Sequence, residues 1–195
     1  MTTYQILGYG YTWWRGDALP TLPPLPGWRV TGAAPQILAA ISGQTPAEIE
    51  QRLRAAHQPY LAWLDDQPVA YGWSATRQGA IEELELRFTI PPGNRYLWDF
   101  VTLPAWRGRG IYGRLLQAIL GLEAPHAERF WIATTVDNHA AQRAILRAGF
   151  RRVDALVRTA EGRLRVLALD HGERAAVGPF GLQLGLLSRA EQDRS

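Results

Sequence analysis

The sequence predicts one α/β domain organised around a mixed β-sheet. A chain of 195 residues can bury one large core, and its balance of 47% apolar to 20% charged residues is typical of globular proteins. Strand-like and helix-like hydrophobic patterns succeed one another along the chain. The most apolar strand-like run, residues 95–103, leads through a glycine-rich turn into a helical pattern, and this order favours an α/β architecture.

The first element is a segment rich in aromatic residues and proline, residues 1–26. Its prolines disfavour a helix and predict an extended strap. Because Trp13 and Trp14 are costly to expose, we expect the strap to lie on the domain or to cover a cleft. Regular structure is expected to begin at Gly27.

Short-range signals define the elements that precede the central strand. Residues 45–48 form a capping box with proline at the first helical position, which predicts a helix start. Residues 84–90 alternate apolar and polar side chains, as in a strand with one exposed face. The other elements expected in this half are a strand at 28–31, a helix at 35–42 and hairpin strands at 60–64 and 69–75.

The second half continues the alternation of helices and strands. Apolar residues at helical spacing run from Ile111 to Ile119, and a helix from about Asn138 is expected to end at Gly149. Strands are expected at 130–136, 153–157 and 164–168. The folded domain is therefore expected to span residues 27–170, followed by a tail, residues 171–195, that docks on the domain or on a partner.

Residue usage excludes several kinds of chemistry. The absence of cysteine excludes disulfide scaffolds, thiolate metal sites and a cysteine nucleophile, and the absence of lysine excludes lysine Schiff bases. The four histidines form no H-x-x-x-H pair, so we expect no metal site. A net charge of +3 is weak evidence for nucleic acid, and no stretch is typical of a secretory signal or a membrane span. We therefore expect a cytoplasmic protein that binds neither nucleic acid nor membrane.

Two groups of arginines stand out in this composition. One is a basic ridge after Asn138, which could meet a phosphate or could be a solvated helix face: Arg143, Arg147, Arg151 and Arg152. The other surrounds the glycine-rich turn and adds full positive charges there: Arg107, Arg109 and Arg114.

The glycine-rich turn between the central strand and the next helix has three glycines in six positions, Gly108, Gly110 and Gly113. Glycine lets backbone N–H groups approach a ligand, and a helix N-terminus carries partial positive charge. Together with the neighbouring arginines, the turn predicts a cradle for a pyrophosphate. A tight turn whose arginines face water is the alternative interpretation.

The same turn also spells G-x-G-x-x-G, the pattern of dinucleotide-binding folds, and Asp137 ends the next strand, where such folds place a ribose-binding acid. Three features argue against that interpretation. About half the chain precedes the motif, too few strands follow it, and residues 104–107 separate the strand from the glycines. A nucleotide-cofactor (NAD-type) oxidoreductase stays open as an alternative.

Two motifs in order resemble those of the GCN5-related N-acetyltransferases (GNAT). Residues 107–112, Arg-Gly-Arg-Gly-Ile-Tyr, are similar to the signature R/Q-x-x-G-x-G/A except at Tyr112. Asn138, Ala141 and the pair Gly149-Phe150 resemble the N-x-x-A and G-F of the family's second motif. The resemblance spans roughly residues 27–170 and implies a mixed, mostly antiparallel, twisted sheet flanked by helices.

The resemblance implies acetyl-CoA as the acyl donor, without a metal, in a cleft between two splayed strands. Backbone groups of the central strand would pair with the pantetheine arm, the turn would wrap the pyrophosphate, and Asn138 would bind the arm from the other side. For Asn138, a helix N-cap is an equally good interpretation. The cofactor-binding residues so implied are Phe100, Val101, Thr102, Arg107, Gly108, Arg109, Gly110, Ile111, Tyr112, Gly113 and Asn138.

Two carboxylates are candidate catalytic residues, Asp99 and Glu85. Asp99 stands in an apolar strand, where desolvation would raise its pKa, although a local N–H or arginine partner is the more common arrangement. Glu85 shares a polar strand face with Glu83 and could line the acceptor side, or that face could simply be solvated. His57 is interpreted as an exposed turn residue.

Acyl transfer also benefits from a group that donates a proton to the leaving thiolate. The tyrosine that supplies this proton in many relatives is replaced here by Ile145. His139 is interpreted as a helix residue rather than a catalyst.

The sequence as a whole favours an N-acetyltransferase that moves acetyl from acetyl-CoA to an amine by direct attack in a ternary complex. The amine could belong to a small molecule or a peptide, and a homodimer is possible. Because the usual acid is missing and the base is not obvious, a non-catalytic acyl-CoA-binding or regulatory domain on the same fold is the other main alternative.

Overall fold

The computed structural model of the chain describes residues 4–170 and 172–187. Its strands are β1 (Tyr4–Trp14), β2 (Trp28–Gly32), β3 (His57–Leu64), β4 (Gln67–Ala75), β5 (Gln78–Ile81), β6 (Leu86–Thr89), β7 (Asn94–Thr102), β8 (Arg129–Thr135), β9 (Arg151–Thr159) and β10 (Leu164–Ala168). Its helices are α1 (Pro35–Ser42), α2 (Pro46–Arg54), α3 (Ile111–Glu123), α4 (His139–Arg147), α5 (Glu173–Val177) and α6 (Pro179–Leu184).

Eight of these strands form one sheet in the order β10-β9-β1-β8-β7-β4-β3-β2. Strands β7 and β8 run parallel, and the other neighbours in the sheet run antiparallel. Strands β5 and β6 pair with each other as a separate hairpin. The predicted fold class, an α/β domain with a mixed and mostly antiparallel sheet flanked by helices, is confirmed.

Helices cover both faces of the sheet. On one face α3 and α4 pack against the strands, with Leu116 and Leu97 in the same buried cluster. On the other face α5, α6 and the β5–β6 hairpin cover Tyr96, which contacts Phe180. Helices α1 and α2 cover Trp73 on that same face.

No helix in the described part of the chain is both long enough and apolar enough to cross a membrane.

The expectation that regular structure begins at Gly27 is wrong. Residues Tyr4–Trp14 form β1, which lies between β8 and β9, and Tyr11 is fully buried. The alternation of Tyr9, Tyr11 and Trp13 with smaller residues indicates this strand. The prolines of residues 20–26 favoured an extended strap for the whole segment instead. Residues 1–3 lie outside the described residues.

The residues between β1 and β2 form neither a helix nor a strand. Their carbonyl groups are tied to α3, because the Arg114 guanidinium donates to the oxygen of Pro23 at 2.6 Å and Gln117 donates to that of Pro20 at 2.9 Å. The segment therefore runs across the α3 face of the sheet.

The capping box and the β3–β4 hairpin agree with expectation. Thr45 accepts a hydrogen bond from the backbone of Glu48, and the Glu48 side chain accepts one in return. The strand expected at 84–90 is shorter, because residues 82–84 form a 3₁₀ turn that ends at Glu85.

Part of the expected tail also packs on the domain. Helices α5 and α6 lie over the sheet, and Arg174 forms two hydrogen bonds with Asp17, at 2.6 and 2.9 Å. Residues 171 and 188–195 of that tail lie outside the described residues.

Candidate active site

A gap in the sheet opens where β7 and β8 separate. Their parallel pairing covers residues 94–97 of β7 and 129–132 of β8, and beyond Leu97 and Ile132 the two strands continue without pairing with each other. A cleft of about 1640 Å³ occupies this gap and reaches both faces of the sheet. The two splayed strands implied by the sequence resemblance are therefore present.

A β-bulge in β7 accompanies this separation. The register with β4 shifts by one residue at Asp99, which has a φ of +50°. The opposing residue is Gly72, where a Cβ would stand 2.3 Å from the Phe100 ring. Glycine is therefore required opposite the bulge, because any side chain there would push Phe100 out of the place where it lines the cleft.

The glycine-rich turn forms one end of the cleft. Gly108 and Gly110 have φ values of +76° and +72°, which glycine adopts without strain, and Gly110 is the N-cap of α3. Within the described residues, the amide N–H groups of residues 108–113 have no backbone acceptor. This row of donors at a helix N-terminus is suited to bind a pyrophosphate.

The arginines of the turn contact the protein without being neutralised by it. Arg107 donates to the carbonyl of Thr102 at 3.2 Å, and the Arg109 guanidinium lies 4.8 Å from the Trp106 ring centroid. In the described part of the chain, neither these two nor Arg114 has a carboxylate within 4.0 Å. Their charges therefore remain available to an anion.

Asn138 lines the cleft from the side of β8. Its Oδ1 accepts a hydrogen bond from the backbone N–H of Ala141 at 3.1 Å. The N-cap interpretation is thus correct, and the position of Asn138 in the cleft is also compatible with the expected contact to the pantetheine arm.

Asp99 is part of an ion pair. Its carboxylate accepts a short hydrogen bond from Arg52 and another from Gln44 at 3.0 Å, and its side chain is about a quarter exposed. The Arg52 guanidinium in turn lies 4.5 Å from the Trp98 ring centroid. The structure therefore favours the local-partner interpretation of Asp99 over that of an isolated, desolvated acid.

Glu85 is exposed, with a φ of +51°, at the end of the 3₁₀ turn. It is absent from the residues that line the cleft, whereas Glu82 and Glu83 are present. The expectation that Glu85 shares a strand face with Glu83 is wrong, because the turn interrupts the alternation on which it depended.

His57 is a cleft residue that the sequence interpretation placed wrongly in an exposed turn. It is the first residue of β3, it is partly buried, and its ring packs edge-on against Trp98 with centroids 5.1 Å apart. Burial and the nearby Arg52 lower the pKa of the imidazole. The local signal for a strand at His57 was weak because Pro59 separates it from the apolar run.

Tyr112 departs from the sequence signature and also lines the cleft. Its ring centroid lies 5.4 Å from that of Phe100, and burial raises the pKa of its hydroxyl. Ile145, at the position where many relatives have a tyrosine, is fully buried in the core. A tyrosine therefore lines the cleft at position 112, whereas position 145 belongs to the core.

The arrangement is unlike that of a dinucleotide-binding oxidoreductase. A 3₁₀ turn, Pro104–Trp106, separates β7 from the glycines, and the sheet is mostly antiparallel rather than doubly wound. The described residues also include no cluster of three or more His, Asp or Glu side chains that could hold a metal ion.

Comparison with known proteins agrees with this architecture. The sequence profile described as the acetyltransferase (GNAT) family matches residues 31–150, well over half of the chain. A search of curated proteins gave no match.

Among solved structures, the chain resembles a GNAT-family acetyltransferase from Colwellia psychrerythraea, with 19% identity and a TM-score of 0.53 over 80% of this chain and 56% of that one. It also resembles a GCN5-related N-acetyltransferase from Kribbella flavida, with 21% identity and a TM-score of 0.51 over 77% of this chain and 56% of that one. The chain thus spans little more than half the length of these two proteins, and at these identities the likeness concerns the fold. On the strength of the profile match, the chain belongs to the acetyltransferase (GNAT) family.

Proposed function

We propose that the protein binds acetyl-CoA in the cleft and transfers its acetyl group to an amine by direct attack in a ternary complex. The observation that carries the proposal is the row of unpaired N–H groups at residues 108–113, next to the gap between β7 and β8. The row and its un-neutralised arginines fit a pyrophosphate, and the gap fits an extended arm. Bound acetyl-CoA would supply a thioester whose carbonyl carbon the amine attacks.

Strand β7 is suited to stabilise the oxyanion of this reaction. Beyond Leu97 it has no partner strand on the side of the gap, so backbone N–H groups that would otherwise complete a parallel ladder are free to donate to a ligand. The bulge at Asp99 changes the direction of the backbone there. Such preorganised donors stabilise developing negative charge.

His57 is our candidate for the general base. An amine with an ordinary pKa near 10 enters as its ammonium form and must lose a proton before it attacks. Because burial and Arg52 keep the imidazole neutral, His57 can accept that proton at neutral pH. Asp99 then has a positioning role, since it holds Arg52 against the Trp98 ring that His57 also contacts.

Tyr112 is our candidate for the general acid. The support for this role is its place in the lining of the cleft, from which it would donate a proton to the sulfur as the C–S bond breaks and the N–C bond forms. Burial raises its pKa and so opposes this transfer, which means that the developing thiolate must supply the driving force. The nitrogen gives its second proton to the Tyr112 phenolate, which restores the phenol, and His57 releases the first proton to water, so the products are the amide and the free thiol.

The test of the proposed function is amine-dependent release of thiol. The full chain is incubated with acetyl-CoA and a panel of small-molecule and peptide amines, free thiol is followed spectrophotometrically, and CoA binding is measured by calorimetry. We expect micromolar-range CoA binding and release that depends on the amine. Binding without release from any amine would instead support the non-catalytic acyl-CoA-binding domain, for which the buried Ile145 is the supporting observation.

Replacing His57 with Gln is expected to lower kcat about 100-fold, the usual contribution of a general base, while the Kd for CoA changes less than about twofold. The wild-type rate should fall only below about pH 6.5, since the imidazole pKa is lowered, and this acid limb should vanish in the variant. The measurement is the pH profile of kcat/KM. His139→Gln, on the exposed first turn of α4, is the control, and equal profiles for wild type and His57→Gln would exclude His57 as the base.

A further inference from the structure

The basic ridge after Asn138 divides into two pairs in the structure. Arg151 lies 3.5 Å from a carboxylate oxygen of Asp17, and the Arg152 guanidinium lies 4.6 Å from the centroid of the Tyr9 ring. These two arginines are engaged by β1 and the segment after it. Arg143 and Arg147 instead lie one turn apart on α4 and line the cleft.

Arg143 and Arg147 carry positive charges that no acidic side chain balances. In the described residues neither has a carboxylate within 4.0 Å. Like charges at positions i and i+4 of a helix repel each other, so this pair is unfavourable unless an anion binds between them. The other residues of α4 that line the cleft are small, Ala140, Ala141 and Ala144.

Helix α4 brings this pair next to the glycine-rich turn. Gly113 in the first turn of α3 lies against α4, where a Cβ would stand 3.4 Å from the carbonyl oxygen of Ala144. The arginine pair is therefore beside, and separate from, the row of N–H donors at 108–113.

Two apolar residues from the segment between β1 and β2 also line the cleft. They are Leu22 and Pro23. The hydrogen bonds from Arg114 and Gln117 to the carbonyl groups of that segment hold it against α3. The lining of the cleft beyond the turn therefore includes both the arginine pair and apolar residues of this segment.

We propose that Arg143 and Arg147 bind the ribose 3′-phosphate of CoA, so that the protein discriminates CoA from 3′-dephospho-CoA. This inference rests on the proposed function, since it requires the pyrophosphate to bind at the turn. A terminal phosphate carries close to two negative charges, and two arginine forks bind it through charge-assisted hydrogen bonds. The turn binds the pyrophosphate through backbone donors, so the arginine pair is free to bind the third phosphate group.

The experiment is calorimetric titration of the full chain with CoA and with 3′-dephospho-CoA. Wild type is expected to bind CoA about tenfold or more tightly than the dephospho form. The double variant Arg143→Gln/Arg147→Gln is expected to lose this preference, with CoA affinity reduced about tenfold and dephospho-CoA affinity within about twofold of wild type. The preference of wild type should also decrease as salt is added.

A second double variant, Arg54→Gln/Arg163→Gln, removes the same amount of charge from exposed positions outside the cleft and should retain the preference. Thermal denaturation of both variants establishes that they are folded. Equal binding of the two ligands to wild type, or equal weakening of both by the Arg143/Arg147 variant, would overturn the assignment while the proposed function stands. Failure of wild type to bind either ligand would refute the proposed function itself.

Discussion

Replacing Gly110 with Glu is expected to weaken CoA binding by about 100-fold or more while the protein stays folded. A Cβ at Gly110 meets open space, so the substitution causes no steric clash, although a φ of +72° costs a non-glycine residue about 1 kcal/mol. The added carboxylate would stand at the N-cap of α3, where it repels a pyrophosphate and competes for the same N–H groups. Calorimetry with CoA gives the affinity, and thermal denaturation reports the fold.

Gly162→Glu is the matched control for this variant. Gly162 has a φ of +81°, a Cβ there also meets open space, and it lies in the turn between β9 and β10, away from the cleft. The control should show the same small loss of stability and full CoA affinity. If Gly110→Glu binds CoA as well as wild type does, the glycine-rich turn is not the pyrophosphate site.

Replacing Asp154 with Asn is expected to remove a large pH dependence of stability. Asp154 lies in β9, fully buried, and neither carboxylate oxygen has a side-chain hydrogen-bond partner in the described residues. Its carboxyl group lies against Gly10 of β1, where a Cβ would stand 2.0 Å from Oδ1. Burial raises the pKa of Asp154 to about 7, against the opposing effect of the Gly10 backbone N–H and with a smaller contribution from the charge of Asp170.

The sign of this effect follows from the two protonation equilibria. Below pH 3.8 the carboxyl is neutral in the folded and unfolded chains, so its ionisation does not change the free energy of unfolding there. Between about pH 4 and 7 the unfolded chain has released its proton while the folded chain retains it, so the free energy of unfolding falls as the pH rises. Above the folded pKa the full cost is reached, on the order of 4 kcal/mol for a shift of about three units.

Urea unfolding at pH 4, 6 and 8 measures this effect. The free energy of unfolding of the Asn variant relative to wild type should increase from pH 4 to pH 8 by up to about 4 kcal/mol. Asp66→Asn, at a fully exposed position between β3 and β4, should show no such change. A constant difference between wild type and the Asp154 variant across this range would contradict the buried, neutral carboxyl.

Local signals in the sequence predicted those parts of the fold that depend on neighbours in the chain. The capping box at Thr45 needs only residues 45–48, and the glycine-rich turn needs only the end of β7 and the start of α3. The order of strand, turn and helix is sufficient to place the row of N–H donors in the sequence, without knowledge of any long-range contact. For the same reason the family resemblance, which rests on two short motifs, was recognisable.

Contacts between distant residues were not predictable in this way. The Asp99–Arg52 ion pair joins residues 47 positions apart, and nothing near Asp99 in the sequence specifies its partner. The position of His57 in the cleft depends on pairing between β3 and β4 and on the packing of Trp98. Glu85 was misplaced because one residue with a left-handed backbone interrupts the alternation of a strand.

The position of β1 has a consequence for the order in which the chain folds. On the ribosome β1 emerges before its two neighbours, yet Gly10 pairs with Ala133 on one side and with Asp154 on the other. Such high contact order slows folding, because more than a hundred residues must be synthesised before either strand edge is covered. Until then the nascent chain carries an aromatic strand with two free edges, the kind of segment that chaperones retain and that aggregates when they do not.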